Sequence, residues 1–237
     1  MHAAARDVHV RLRAERPRNH RTRGARYGDR VRVDHVVMAV RDLERSAASW
    51  ARLGIATVPG GVHPRWGTAN RIAPLGDAYL ELLAVDDDDV ASGTALGRAI
   101  LERSDGGDRW FALCLADDDI DGTAARLGLT VEPGARSKPD GSQVRWRSVG
   151  IEDPRRAGDL PFFISWATPE THPGRTAVAH PAGHLEIASI DVAGDAEAFA
   201  AWTGGASLPV RWVEGSPGIR GVVLDAPRRA IEIQGAP

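Results

Sequence analysis

The chain has 237 residues, a formal net charge of −2 and 26 % charged residues. That length allows one or two domains with a sizeable core. The near-even charge balance gives no reason to expect nucleic acid or an anionic membrane as the main partner. Cys114 is the one cysteine, which excludes an internal disulfide and allows a cytoplasmic setting. No apolar run approaches the roughly 18 residues a membrane helix needs.

Residues 1–32 hold ten arginines against Asp7, Glu15 and Asp29, with no sustained apolar periodicity. They read as a disordered basic arm without the apolar stretch of a secretory signal. The rest of the chain is acidic. Residues 33–40 are apolar and β-branched, and read as a strand. Leu43, Ala47, Trp50, Ala51 and Leu53 then recur at helical spacing, and Gly54 stops the helix. Residues 55–58 form a short strand that Pro59-Gly60-Gly61 breaks, followed by strands at 68–74 and 78–85. The unit is β-α-β-β-β. The run Asp86 to Asp89 reads as a solvated loop opening a linker.

The same order recurs. Strand 110–116 contains Cys114, which reads as a buried core thiol. Asp117, Asp118 and Asp119 offer caps for a helix over 120–127, closed by Gly128. Strands follow at 129–132, 143–149 and 161–166, with Asp140-Gly141 as a hairpin signal. A third run has a strand at 184–192, a helix at 195–202 closed by Gly204-Gly205, and strands at 210–213, 221–224 and 230–233. The expected organisation is a basic arm (1–32), paired modules one and two (33–167), a linker (168–183) and a third βαβββ-like module (184–237). The fold class is α+β, with tandem modules forming a curved mixed sheet around a concave ligand site. An odd module leaves a sheet face uncovered, so the third is expected to pack on its own chain or in a two-fold homodimer.

Several motifs resemble a known family. Asp34-His35-Val36-Val37 with Val40-Arg41-Asp42-Leu43 resembles the opening of glyoxalase-like domains. The stretch from Gly60 to Asn70, with Gly61, His63, Trp66 and Gly67, resembles an internal signature of one branch. Tyr79-Leu80-Glu81 resembles its fourth strand, 160–166 resembles the end of its second module, and His180-Pro181-Ala182-Gly183 resembles a turn that follows. The resemblance covers about 33–190 and implies the vicinal-oxygen-chelate fold. It implies a divalent metal, Zn, Ni, Fe or Mn, held by a first-strand histidine and a fourth-strand glutamate. These are His35 and Glu81 in this sequence.

Strand alternation places His35 with Val33, Val37 and Ala39, opposite Asp34, Val36, Met38 and Val40. The latter set makes the better helix-packing face, so His35 should face the concavity. Glu81 shares a face with Tyr79, Leu83 and Val85, where a carboxylate is costly without a partner. Glu81 and His63 are the catalytic candidates; the alternative for His63 is that it fixes a turn. Trp66 could cover the pocket, and Asn70 could meet a substrate carbonyl. Module two offers Trp110 or Phe111 at the position of His35 and Ser165 at that of Glu81, so a four-ligand set is missing. Trp110, Phe111, Phe163 and Trp166 instead suggest an apolar substrate wall. In the third module Glu232 mirrors Glu81, but Ile187 stands where a histidine is needed. There is no nucleophile elbow, phosphate loop or Rossmann glycine pattern. Two readings stay open. One is a metal-dependent isomerase or lyase acting on a carbonyl or enediolate. The other is a non-catalytic protein that binds or sequesters a small molecule.

Overall fold

The computed structural model describes residues 30–138, 140–153 and 160–236. The expected basic arm lies almost entirely outside them. The first module is β1 (Val31–Ala39), α1 (Leu43–Arg52), β2 (Val58–His63), β3 (Thr68–Pro74) and β4 (Tyr79–Val85). The Asp42 carboxylate starts α1 by accepting from the Glu44 and Arg45 amides. The buried Ala47 and Trp50 dock that helix on the barrel. The second module is β5 (Arg109–Asp117), α4 (Ile120–Leu127), β6 (Val131–Ser137), β7 (Gln143–Val149) and β8 (Phe162–Trp166). Between the modules run α2 (Asp88–Gly93) and α3 (Ala95–Ser104). The acidic run expected to be a solvated loop is therefore a helix start. Asp87 caps α2 through the Val90 amide, and Asp88 and Asp89 fill its first turn.

The eight strands close into a barrel in the order β1-β4-β3-β2-β6-β7-β8-β5. Each module pairs its first strand in parallel with its fourth, then continues antiparallel through its third and second. The modules meet along the long β1–β5 antiparallel pair. On the opposite side β2 and β6 share one registered pair, Val62 with Ser137.

That narrow seam explains two strand boundaries that differ from expectation. Strand β2 runs through Pro59-Gly60-Gly61 instead of ending there. A Cβ on Gly60 would lie 2.0 Å from Asn70 Oδ1, and one on Gly61 would lie 2.1 Å from the Ser137 carbonyl oxygen. Gly61 also has φ +147°, a conformation open to glycine. These glycines let β2 approach both neighbours. Strand β6 likewise continues past Pro133-Gly134 to Ser137, where the sequence suggested an end near Glu132.

The remaining strands form a second sheet: β9 (Glu186–Ala193), β10 (Val210–Trp212), β11 (Gly218–Asp225) and β12 (Ile231–Gln234), with α5 (Ala196–Thr203) after β9. The element order repeats, but the pairing does not. The sheet order is β10-β9-β11-β12, so the first strand pairs with the second and third instead of the fourth. This sheet covers the outside of the barrel on the same chain. Ile190, Val222, Leu224, Ile231 and Ile233 join one buried cluster with Trp50, Trp110 and Phe163. Trp110 Nε1 donates to the Ile233 carbonyl at 3.1 Å, and Trp202 Nε1 donates to that of Pro161 at 2.7 Å. Arg126 holds the last carbonyls of α5, at Ala201 and Trp202. Among the described residues, no helix is long and apolar enough to cross a membrane.

Two outcomes follow from this packing. Gly61→Ala is expected to lower unfolding free energy by roughly 1–3 kcal/mol in urea denaturation, through strain at positive φ and the clash with β6; an unchanged midpoint would show that the seam is loose. A chain ending at Gly183 is expected to aggregate or lose cooperative melting, because Trp110 and Phe163 become exposed. A stable monomer of unchanged melting temperature would contradict the shared core.

Candidate functional site

The inside of the barrel holds a cavity of about 60 Å³, partly open to solvent. Alternation along β4 aims Tyr79, Glu81 and Leu83 into it, while Leu80, Leu82 and Ala84 join the outer core. From β1 come His35 and Val37, from β2 and β3 come His63, Thr68 and Asn70, and from β6 comes Arg136.

Two β-bulges set the details. Val33 pairs with Leu115 and His35 with Cys114, which leaves Asp34 as the extra residue of β1. The bulge switches the strand's phase: Val33 packs with the outer core alongside Val36, Met38 and Val40 instead of sharing a face with His35. On β5, Val37 pairs with Ala112 and Met38 with Trp110, leaving Phe111 extra. Phe111 therefore lines the cavity, and Trp110 turns outward against Trp50 and the second sheet.

Trp110 as a cavity-wall residue is thus corrected. Phe163 is corrected too: Phe162, Ile164 and Trp166 point inward, and a residue three places before Trp166 must point outward. Ser165, which was matched to Glu81, also falls outside the cavity lining. The other expected residues, His35, His63, Trp66, Asn70, Glu81, Phe111 and Trp166, all line one cavity.

His35 Nδ1 and Asp34 Oδ1 lie 2.7 Å apart, a hydrogen bond in which the imidazole donates to the carboxylate. The other Asp34 oxygen accepts from Trp166 Nε1 at 2.8 Å and from His172 Nε2 at 3.1 Å. His172 Nδ1 accepts the Gly174 amide, which assigns its proton to Nε2. Burial of Asp34 pushes its carboxyl upward, but the hydrogen bonds from His172 and His35 outweigh this and hold it well below the usual carboxylate range. His35 stacks on Tyr79 with ring centroids 4.4 Å apart. Burial, with Glu81 and Asp34 nearby, pushes the Tyr79 phenol well above its usual value.

With its Nδ1 proton committed to Asp34, His35 presents the Nε2 lone pair to Glu81 Oε2 at 3.5 Å. Glu81 Oε1 is held by Asn70 Nδ2 at 2.7 Å. The amide oxygen of Asn70 is buried without a hydrogen-bond partner. Nε2 and the carboxylate oxygen at that distance call for positive charge between them, supplied by a second proton on the imidazole or by a metal cation. An imidazole nitrogen and a carboxylate oxygen suit a divalent ion such as Zn, Ni, Fe or Mn. The Asp34 contact to the far imidazole nitrogen is the usual support for a metal-binding histidine.

Among the described residues, one other group could hold an ion. Asp34, His35 and Cys114 each offer a ligand atom, all within 4.8 Å of one another. There, however, the Asp34 oxygens already accept three hydrogen bonds and His35 Nδ1 already donates. The Nε2 side is therefore the better donor set.

His63 is buried, with Nδ1 3.1 Å from Thr68 Oγ1, and burial lowers its pKa to about 4. It is neutral at neutral pH. Trp66 donates its indole proton to Glu152 Oε1 at 2.7 Å. Asp34, Tyr79, Cys114, Arg136 and His172 were not singled out as site residues in the sequence. Asp34 carried a signal in its place beside His35 in the opening motif, and Tyr79 in sharing the face of Glu81 in the fourth-strand motif.

The sequence profile of the glyoxalase-like domain family matches residues 33–206, and the chain belongs to that family. Its paired βαβββ barrel is the vicinal-oxygen-chelate fold. Among solved structures, a hypothetical protein from Staphylococcus aureus is similar at a TM-score of 0.58 and 17 % identity, covering 84 % of this chain and 82 % of that one. Methylmalonyl-CoA epimerase from Mycobacterium tuberculosis gives a TM-score of 0.39 at 19 % identity, over 56 % of this chain and 85 % of that one. A xylose isomerase-like TIM barrel/4-hydroxyphenylpyruvate dioxygenase fusion protein gives 0.45 at 14 % identity, over 82 % of this chain and 36 % of that one. No curated protein matches the chain.

Asp34→Asn would place a donor against the donors of Trp166, His172 and His35. It is expected to destabilise the fold by roughly 3–5 kcal/mol, measured by chemical denaturation. A loss below about 1 kcal/mol would mean that the carboxylate does not organise the site.

Proposed function

We propose that the protein is a small-molecule enzyme of the isomerase or lyase type, in which His35 and Glu81 hold a divalent cation inside the barrel. The observation that carries this is the convergence of His35 Nε2 and Glu81 Oε2 at 3.5 Å, both buried. When bound, such an ion acts as a Lewis acid that polarises a carbonyl or enediolate oxygen.

The chain's own residues do the rest. Asp34 fixes the tautomer and ring orientation of His35. Asn70 occupies Glu81 Oε1 and leaves Oε2 as the carboxylate oxygen available to an ion or a proton. Neutral His63 has an imidazole that can donate to a substrate oxygen, a role that suits its lowered pKa better than that of a base. Trp66, Phe111, Phe162 and Trp166 keep water from the reacting carbon.

The second reading, a non-catalytic binding protein, rests on the asymmetry of the barrel. Module two contributes Phe111, Ala112, Phe162, Ile164 and Trp166 to the lining where module one contributes His35 and Glu81. Such a wall would hold an apolar body without chemistry. A cytoplasmic setting and a homodimer fit either reading.

Elemental analysis of untagged protein separates them. The enzyme reading expects about one tightly held divalent ion per chain, as for a built site. Glu81→Gln is expected to weaken its binding by roughly 10- to 100-fold or more while the melting curve without metal stays in place. Metal-free protein that takes up no Zn, Ni, Fe or Mn on addition would favour the binding protein.

A further inference from the structure

One group in the cavity has no task in the chemistry above. Arg136 lies near the end of β6, at the seam where modules one and two barely meet. It is 5 % exposed, and its Nη1 atom is buried without a hydrogen-bond partner. No ion pair or side-chain hydrogen bond ties its guanidinium among the described residues. Nη1 would lie 3.1 Å from a Cβ placed on Gly61, so the bare glycine is what makes room for it. A buried guanidinium without a counter-charge is costly, and such groups are ordinarily paired. The cavity around it is lined by Trp66, Trp146, Leu83, Phe162 and Ile164, and the carboxylate in that lining, Glu81, is held by Asn70 and faces His35.

We propose that Arg136 is the anion-binding element of this cavity, and that the ligand is a small organic carboxylate whose apolar body packs on the tryptophan wall. The inference rests on reading this cavity as the ligand site, but it does not require the cation. The planar guanidinium fork matches a carboxylate through two parallel hydrogen bonds. The two halves of the barrel then divide the work. Module one presents His35 and Glu81, and module two presents the charge that anchors the acid. A ligand with a carboxylate and a nearby carbonyl or hydroxyl would satisfy both. The narrow β2–β6 seam is the place where an arginine of one module can reach a ligand held by the other.

The test uses the full chain and five probes: benzoate and phenylacetate, their neutral amides benzamide and phenylacetamide, and phenyl phosphate. Binding is read by calorimetry and by quenching of tryptophan fluorescence, since Trp66, Trp146 and Trp166 line the cavity. The acids are expected to bind at least about tenfold more tightly than their amides, the scale of a charge-assisted bidentate contact. Arg136→Met should bring acid and amide within about twofold of each other, and its unliganded melting temperature should not fall, because an unpaired buried charge has gone. If that variant fails to fold, Arg136→Lys, which keeps the charge and loses the fork, should retain only part of the preference.

Equal binding of acid and amide by the parent chain overturns the proposal. So does a preference that survives Arg136→Met, a tighter fit for phenyl phosphate than for the acids, or no binding of any probe. Metal content measured on the same samples keeps the two readings apart. Loss of the acid preference in Arg136→Met with metal uptake intact supports this proposal. A parent chain that prefers acids but takes up no metal refutes the metal centre alone.

Discussion

The site depends on one buried carboxylate. Asp34 accepts from His35, Trp166 and His172, which ties β1 of the first module to β8 of the second and to the segment leading to the outer sheet. Three donors on one carboxylate also fix its charge state, because each favours the ionised form. From that follow the Nδ1 proton of His35 and the direction of its Nε2 atom toward Glu81. The carboxylate can do this only because a β-bulge at Asp34 turns it away from the outer face that simple alternation would give it.

The barrel supplies the second constraint. Pairing two βαβββ modules buries one shared inner face, which the two halves of this chain line differently. One half carries the acceptors and the other carries the aromatic lining and a lone guanidinium. The outer sheet belongs to the same logic. Its strands repeat the modules' order but pair differently, so it cannot enter the barrel. It covers Trp110 and Phe163 instead, removing the apolar surface that an unpaired module would have left.

Much of this was legible in the residues. The first module's alternation on β4 separated Tyr79, Glu81 and Leu83 from Leu80 and Leu82 with no error. Regular strands keep their period, and the motif around His35 marked the strand that mattered. What failed was phase and extent. The bulge at Phe111 reversed Trp110, and an off-phase pairing with Trp166 misplaced Phe163. Arg136 was out of reach, because Pro133-Gly134 looks like the end of a strand that in fact continues. Its burial depends on the distant Gly61, and no local pattern records that contact.

The central claim is that Asp34 holds the His35 proton on Nδ1 and so turns Nε2 toward Glu81. Long-range nitrogen–proton NMR of the imidazole rings tests this directly. The account predicts that His35 has a protonated Nδ1 and a bare Nε2 in the metal-free protein, and that the Nε2 resonance shifts on adding Zn. A proton found on Nε2, or Zn that shifts only surface histidines such as His184, would contradict it.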